Sequence, residues 1–462
     1  MWARNALFLG LGLIGLASLV GAVLMSEPRP QAADYRPAQF ESPDVLAVVA
    51  DVDGQWRQRW QWAQLEPAAR APDLQIARRL SLGLTGTLPS LEEIRELERR
   101  PADQRIAWWV THLLEDRRYA DYMAERFARA MVGDEGGPFL VYRGRRFRLW
   151  LSDQFHDNVP YDELARKLIA AEGIWTSHPE VNFVTASFVP NEGPDEVKLA
   201  ARMSRAFLGV RIDCVQCHDD NLGGDWKQTD FHELAAFFAP AELTLTGVRD
   251  KKVAYRYKYL RAEEEVDVPQ QVPFAEALLE APSRDAAHPR QRLARWATKP
   301  ENRPFARAVV NRMWALLFGK PLEEPIDDIP LEGPYSPGFE TLVDDFIQHG
   351  YDLQRLIRVI ASTEVFQLDS RADHALTEKH ERHWASFPLT RLRGDQVAGS
   401  ILQSASLKTI DAQSHIFVKL QTFDQKNKFI ERYGDTGEDE FADKGGTIPQ
   451  RLLMMNGNML QE

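Results

Sequence analysis

The 462-residue chain contains only two cysteines, and both lie in Cys214-Val215-Gln216-Cys217-His218. Two thiols at that separation with an imidazole directly after them form the attachment signature of c-type haem. Each residue has a task in that chemistry. The thiols add across the two vinyl groups as thioethers, one helical turn between them matches the vinyl spacing, and His218 supplies the proximal imidazole to iron. Two other chemistries use the same atoms. A Cys214–Cys217 disulfide suits an oxidising compartment and could be redox-active. A closed metal site wants four ligands; Asp213, Asp219 and Asp220 flank the motif, but no second cysteine pair exists. Covalent haem c uses every feature of the motif and is the expectation carried forward.

The sixth position on iron has several candidates. His232 lies fourteen residues beyond His218 and comes first; Met203, on the preceding helix, comes second, with Met123 and Met131 behind them. Ordinary packing competes with ligation for each. A methionine ligand would raise the potential and suit electron transfer, whereas an open position would suit small-molecule chemistry. Trp226, Phe231, Phe237 and Phe238 either wall an apolar pocket or fill plain core. Hydrolase machinery is missing: neither Gly-x-Ser-x-Gly nor His-Glu-x-x-His occurs, and the Asp327-Asp328 and Asp344-Asp345 pairs read as helix caps and solvated faces.

The elements that must position these groups read as helices. Amphipathic patterns predict helices over 73–82, stopping at Gly83, and over 105–114, 119–131, 145–156 and 161–171. Ser90 with Glu93 forms a capping box for a helix beginning at Leu91. The stretch 196–208 brings Val197, Ala201, Ser204 and Leu208 onto one face with Gly209 as its stop, and another helix covers 230–238. From Glu242 to Pro273 the period changes to two, with Val253, Tyr255, Tyr257 and Tyr259 alternating, which predicts a β-hairpin or small sheet. Helices resume at about Pro289 and cover 302–318, 339–349 and 353–362. The expected fold is mainly α: two helical domains with a small β insertion between them. The divisions are an N-terminal signal anchor at 1–25, a linker at 26–44, a haem-bearing domain at 45–240, a β-rich connection at 241–282 and a second helical domain at 283–462.

Residues 6–25 carry no charge and follow Arg4, a run long enough to cross a hydrocarbon layer of roughly 30 Å. A retained inner-membrane anchor is expected; a cleaved signal peptide with a site near Ala22 is the rival. Both export the remainder to the periplasm. The net charge of −12 argues against nucleic acid as main partner, since phosphate binding needs a positive surface. The local basic run Arg143, Arg145, Arg146 and Arg148 reads as a solvated helix face or, alternatively, a surface for an acidic partner or anionic glycan. The 12 tryptophans suit a large helical core or a pocket for a flat apolar group.

The segment from Phe207 to Asp219, together with Trp226-Lys-Gln-Thr-Asp230 and Leu234-Ala-Ala-Phe-Phe238, resembles the motif core of the planctomycete cytochrome-type domain. Upstream, Arg78-Arg79-Leu80, Leu84-Thr85-Gly86 and Pro89-Ser90-Leu91-Glu92-Glu93 resemble its start, and Pro160-Tyr161-Asp162 with Leu168 to Gly173 its middle. The second half is similar to the planctomycete cytochrome-associated domain through Asn302-Arg303-Pro304-Phe305-Ala306-Arg307, Asn311-Arg312-Met313-Trp314-Ala315 and Glu324-Pro325-Ile326-Asp327-Asp328. The resemblance implies little biochemistry beyond a cytochrome-like motif, in proteins that often accompany sulfatase and glycan-degradation systems; the redox partner is left unidentified. Departures matter too. Asp220 stands where the family usually has a second histidine, Leu222-Gly223-Gly224-Asp225 replaces the usual Phe-Asp-Pro, and Gly83 replaces an aspartate. If the family's second histidine ligates iron or a metal, that role is lost here or moves, with His232 as the nearest replacement. The chain ends soon after Gln450-Arg-Leu-Leu-Met-Met-Asn456, as a divergent subgroup or a shortened chain would.

Overall fold

The protein is described by a computed structural model covering residues 35–133, 137–138, 140–220, 226–260, 262–282, 289–411, 414, 425–426, 428–430, 432–433, 441 and 447–456. The expected anchor at 6–25, residues 26–34 of the expected linker and the Leu222–Asp225 replacement lie outside the described residues; the rest of that linker is partly helical, with Ala38–Glu41 a short helix and Pro43 starting the next one. Among the described residues no helix is long and apolar enough to cross a membrane.

Helices dominate, as the periodicity requires. The capping box forms as read: Ser90 Oγ accepts from the Glu93 amide and Glu93 Oε2 accepts from the Ser90 amide, starting the Leu91–Arg99 helix. Helices follow at Arg105–Glu115, Arg117–Val132, Gly144–His156 and Tyr161–Ile169, within a few residues of the expected ends. One boundary moves substantially. The Asp73–Thr85 helix runs through Gly83 and stops only at Gly86, whose φ is +67°. Gly83 is there for contact rather than termination. A Cβ at that position would sit 2.9 Å from the Leu316 carbonyl oxygen, so the glycine lets two helix backbones touch.

That contact leads to the centre of the molecule. The Arg303–Phe318 helix is buried along nearly its whole length, its buried Arg307 and Asn311 satisfied by Glu340 and by the backbone at Leu322 and Glu323. It packs against Asp73–Thr85 and Ser204–Leu208 from the first half and Phe339–Gln348 from the second. The long Pro43–Ala63 helix lies against Phe339–Gln348 and Leu353–Ser362. Trp56 stacks on Trp314 at 6.4 Å, and Trp314 on Phe318 at 4.1 Å, so these tryptophans fill the seam between the halves. One continuous apolar core includes residues from Phe40 to Phe387. Two buried ion pairs also cross between the expected divisions: Arg126 to Asp395 at 3.1 Å and Arg290 to Asp250 at 2.7 Å. Asp345 is likewise no solvated face. It is buried and takes a forked bond from Arg355.

Among the described residues the strands form three separate antiparallel pairs rather than one sheet. Ala241–Thr244 pairs with Gly247–Asp250, and Tyr255–Tyr257 pairs with Val266–Val268, both inside the stretch with period two. Phe188–Val189 with Gly193–Pro194 is a further pair, too short to leave a pattern in the sequence.

Candidate functional site

The 196–208 stretch is an α-helix only to Met203. Ser204–Leu208 continues as a π turn and ends at Gly209 in the left-handed region. A Cβ on Gly209 would press on Ala308 and Ile329 at 3.1 Å, so the glycine also admits the second half closely. The chain then bends into a single 3-10 turn, Asp213–Gln216, that carries the cysteine motif. Cys214, Cys217 and His218 are all exposed, and both thiols are free. Val215, between them, is buried and roots the turn in the core.

One carbonyl holds this turn down. Gln216 O accepts from His232 Nε2 at 2.9 Å, from Gln228 Nε2 at 3.1 Å and from Tyr257 Oη at 3.3 Å. Because a carbonyl can only accept, the Nε2 of His232 carries hydrogen. Burial pushes this imidazole below its ordinary pKa, against the opposing pull of the Gln216 carbonyl. The ring is therefore neutral, and its Nδ1 accepts the Tyr255 hydroxyl at 2.8 Å. Tyr257 lies flat on the ring, centroids 3.5 Å apart. His232 thus has both nitrogens engaged and is 1% exposed. Using it as an iron ligand would break one of these bonds. Met203 is 0% exposed within the core, and Met123 and Met131 are buried there too. Phe231, Phe237 and Phe238 are core as well, whereas Trp226 stays half-exposed against Phe274.

The acidic neighbours hold structure. Asp219 accepts from the Gln228 amide at 2.9 Å at the start of the Gln228–Ala235 helix, and the Asp220 amide donates to the Trp226 carbonyl at 3.0 Å. Asp213 takes a forked bond from Arg205. Arg205 also reaches Asp327 at 3.9 Å, and Arg211 grips both Asp327 oxygens at 2.8 and 2.9 Å. Asp328 accepts the Arg211 amide at 3.2 Å, and the Ile329 amide donates to Gly209 O at 2.7 Å. So the Asp327-Asp328 pair, read from sequence as helix caps or solvated faces, clamps the strip leading into the motif, with Asp328 itself exposed as that reading expects. Of the basic run, Arg145, Arg146 and Arg148 are exposed; Arg146 reaches the Thr176 carbonyl and Arg148 pairs with Glu125.

A covalent haem needs accessible thiols, an adjacent imidazole and donors for its carboxylates, and the residues present fit it. The first two requirements are met on one turn. For the third, Arg211 stands three residues before Cys214, its guanidinium held by both Asp327 oxygens. The other donor cluster among the described residues, Glu93 with His112 and Asp116, is already filled by Arg118, which pairs with both carboxylates. With Arg118 and His112 opposing the effect of burial, Glu93 is held at about 2.

Residues 51–242 match the PSCyt2 family model, described as a protein of unknown function (DUF1549). Residues 289–441 match the PSD1 model, likewise described as a protein of unknown function (DUF1553). In that order the two matches support a two-domain architecture of unknown function. The cysteine turn and His232 fall in the first, and Asp327 and Asp328 in the second. No curated protein and no solved structure matches the chain.

Proposed function

We propose that the protein is an exported, membrane-tethered c-type haem protein, with thioether links to Cys214 and Cys217 and His218 as proximal ligand, that passes single electrons. One observation carries this reading: all the cysteine of the chain stands exposed on one short turn with an exposed imidazole next in sequence. When bound, haem supplies a one-electron couple between ferrous and ferric iron. The protein's own part is positional. His232, Gln228 and Tyr257 fix the backbone of the turn through Gln216 O, so the thiols and imidazole project from a preset backbone. His218 Nδ1 lies 2.7 Å from the Asp219 carbonyl. As a donor there it leaves Nε2 as the lone-pair nitrogen for iron.

A reduced-minus-oxidised absorption spectrum, with a pyridine haemochrome assay on protein made alongside a cytochrome c maturation system, tests the reading. The expected result is a c-type haemochrome that survives acid-acetone extraction; extractable pigment, or none, contradicts it.

A second reading, binding or activation of a small oxidant at an open iron position, draws support from His232 and Met203. One has both nitrogens bonded and the other is sealed in the core, so neither nominated residue is presented as a sixth ligand. Carbon monoxide shifting the spectrum of the reduced protein favours this reading, and an unmoved spectrum counts against it.

A further inference from the structure

We infer that the chain holds a second binding site, for a small zwitterion with an apolar body such as a short peptide, between the β insertion and the Pro289–Ala297 helix. It stands apart from the haem reading, because none of its lining residues belongs to the cysteine turn. A cavity of about 680 Å³ lies there, inside the range typical of small-molecule sites. Tyr255 and Val268, cross-strand partners in the Tyr255–Tyr257 and Val266–Val268 pair, line it together with Val272, and all three are buried. Leu279 adds apolar surface, and Arg292 reaches it from the helix.

The charged groups of the lining select the ligand. Arg292 is 6% exposed, yet its hydrogen bonds among the described residues all go to neutral oxygens: Nε and Nη2 to the Glu280 carbonyl at 3.1 and 2.8 Å, and Nη1 to Gln270 Oε1 at 3.3 Å. The Glu280 carboxylate pairs instead with Arg295 at 2.8 Å. Burial pulls the Arg292 guanidinium below its ordinary pKa, against the opposing charge of Glu280. A guanidinium has five N–H donors, so two remain for a ligand carboxylate, which would also supply the counter-charge that a buried cation needs. Glu276 is the opposite case. It is an exposed part of the lining, and its carboxylate takes no hydrogen bond among the described residues, which suits an ammonium group. A simple anion would be opposed by Glu276 and a simple cation by Arg292, so a ligand carrying both charges fits the pair, with Val268, Val272 and Leu279 for its apolar body. The segment that carries Glu276 and Leu279 is held against the helix beforehand. Besides the Arg292 bonds, Trp296 Nε1 donates to Ala275 O at 3.2 Å and Lys299 Nζ to Leu278 O at 2.8 Å.

Calorimetric titration of the full-length chain with the dipeptide L-leucyl-L-leucine, its C-terminal amide and its N-acetyl form tests the inference. The free dipeptide is expected to bind saturably, and each capped form to bind roughly tenfold more weakly or worse, since each loses one charged contact. The variants assign the contacts. Glu276→Gln, at an exposed position, is expected to bind the free and N-acetyl forms alike, and Arg292→Met the free and amide forms alike. Unfolding midpoints show whether each variant is folded. Should Arg292→Met fail to fold, Val253→Trp tests the cavity by filling it: Val253 lines it and is 46% exposed, so the larger ring is tolerated and is expected to weaken dipeptide binding roughly tenfold. Leu140→Trp, exposed and outside the lining, is expected to leave binding unchanged. No saturable heat, capped forms that bind as tightly as the free dipeptide, or an unaffected Val253→Trp variant overturns the inference. The titration reads the same whether or not haem is attached, so its outcome and that of the haem reading are separate.

Discussion

The role assigned to His232 leads to a quantitative expectation. In the His232→Ala variant the Tyr255 hydroxyl loses its buried acceptor, which costs about 1–3 kcal/mol. The imidazole that stacks on Tyr257 at 3.5 Å leaves a partial void, adding about 1–2 kcal/mol. Gln216 O is not orphaned, because Gln228 and Tyr257 still donate to it, so nothing is added there. The variant should therefore lose about 2–5 kcal/mol at pH 7. His232→Gln restores a donor for Gln216 O but fits Tyr255 poorly, and should lose about half as much. Proton linkage gives a second, independent signature. The folded pKa of His232 lies below its ordinary value, mainly through burial. Above that ordinary value the ring is neutral in both states and its full contribution is present. As pH falls through it, the unfolded chain takes up a proton that the folded chain refuses. Stability is then lost down to the folded pKa and levels off below it. Urea titrations of wild type and His232→Ala at pH 7 and pH 5 measure both effects. The gap between the two proteins should narrow at pH 5. A loss under about 1 kcal/mol at pH 7, or a gap that does not change with pH, refutes this role for His232.

Other expectations follow from single contacts. Gly83→Ala gains helix propensity but drives a Cβ to 2.9 Å from the Leu316 carbonyl; a net loss of about 1–3 kcal/mol in thermal or urea unfolding is expected. Asp395→Ala removes a carboxylate bound to Arg126 in a pair with side chains 1% and 3% exposed, and should cost about 3–5 kcal/mol, measured the same way. Ser90→Ala breaks the capping box and the contact with Thr409, for a loss of about 1 kcal/mol. In chain made without haem maturation, Cys214 and Cys217 should both react with an alkylating reagent in native buffer, since both are exposed and free; one protected thiol would mean the turn is built differently.

Local chemistry was legible in the sequence, and long-range partners were not. The Ser90 box, the Leu353–Ser362 helix and the period-two tyrosines depend on residues a few positions apart, so their patterns carry them. Gly83 was misread as a stop because its reason lies more than two hundred residues away, in the backbone at Leu316. The same holds at the site. The cysteine motif is contiguous and readable, while the function of His232 depends on Tyr255 and Gln216, which only the fold brings to its two nitrogens. The ion pairs of Asp327 were not legible because Arg205 and Arg211 belong to the other half of the chain. The tryptophans, equally consistent with core or pocket, divide: Trp56, Trp108, Trp109 and Trp314 fill the core, and Trp226 stays half-exposed against Phe274.

Intact mass of the purified chain, followed by peptide mapping, tests the central claim most directly. After expression with cytochrome c maturation, the account predicts a mass raised by one haem, localised to the peptide containing Cys214 and Cys217. An unmodified peptide with two free thiols, or one lighter by the two hydrogens lost on disulfide formation, would contradict it.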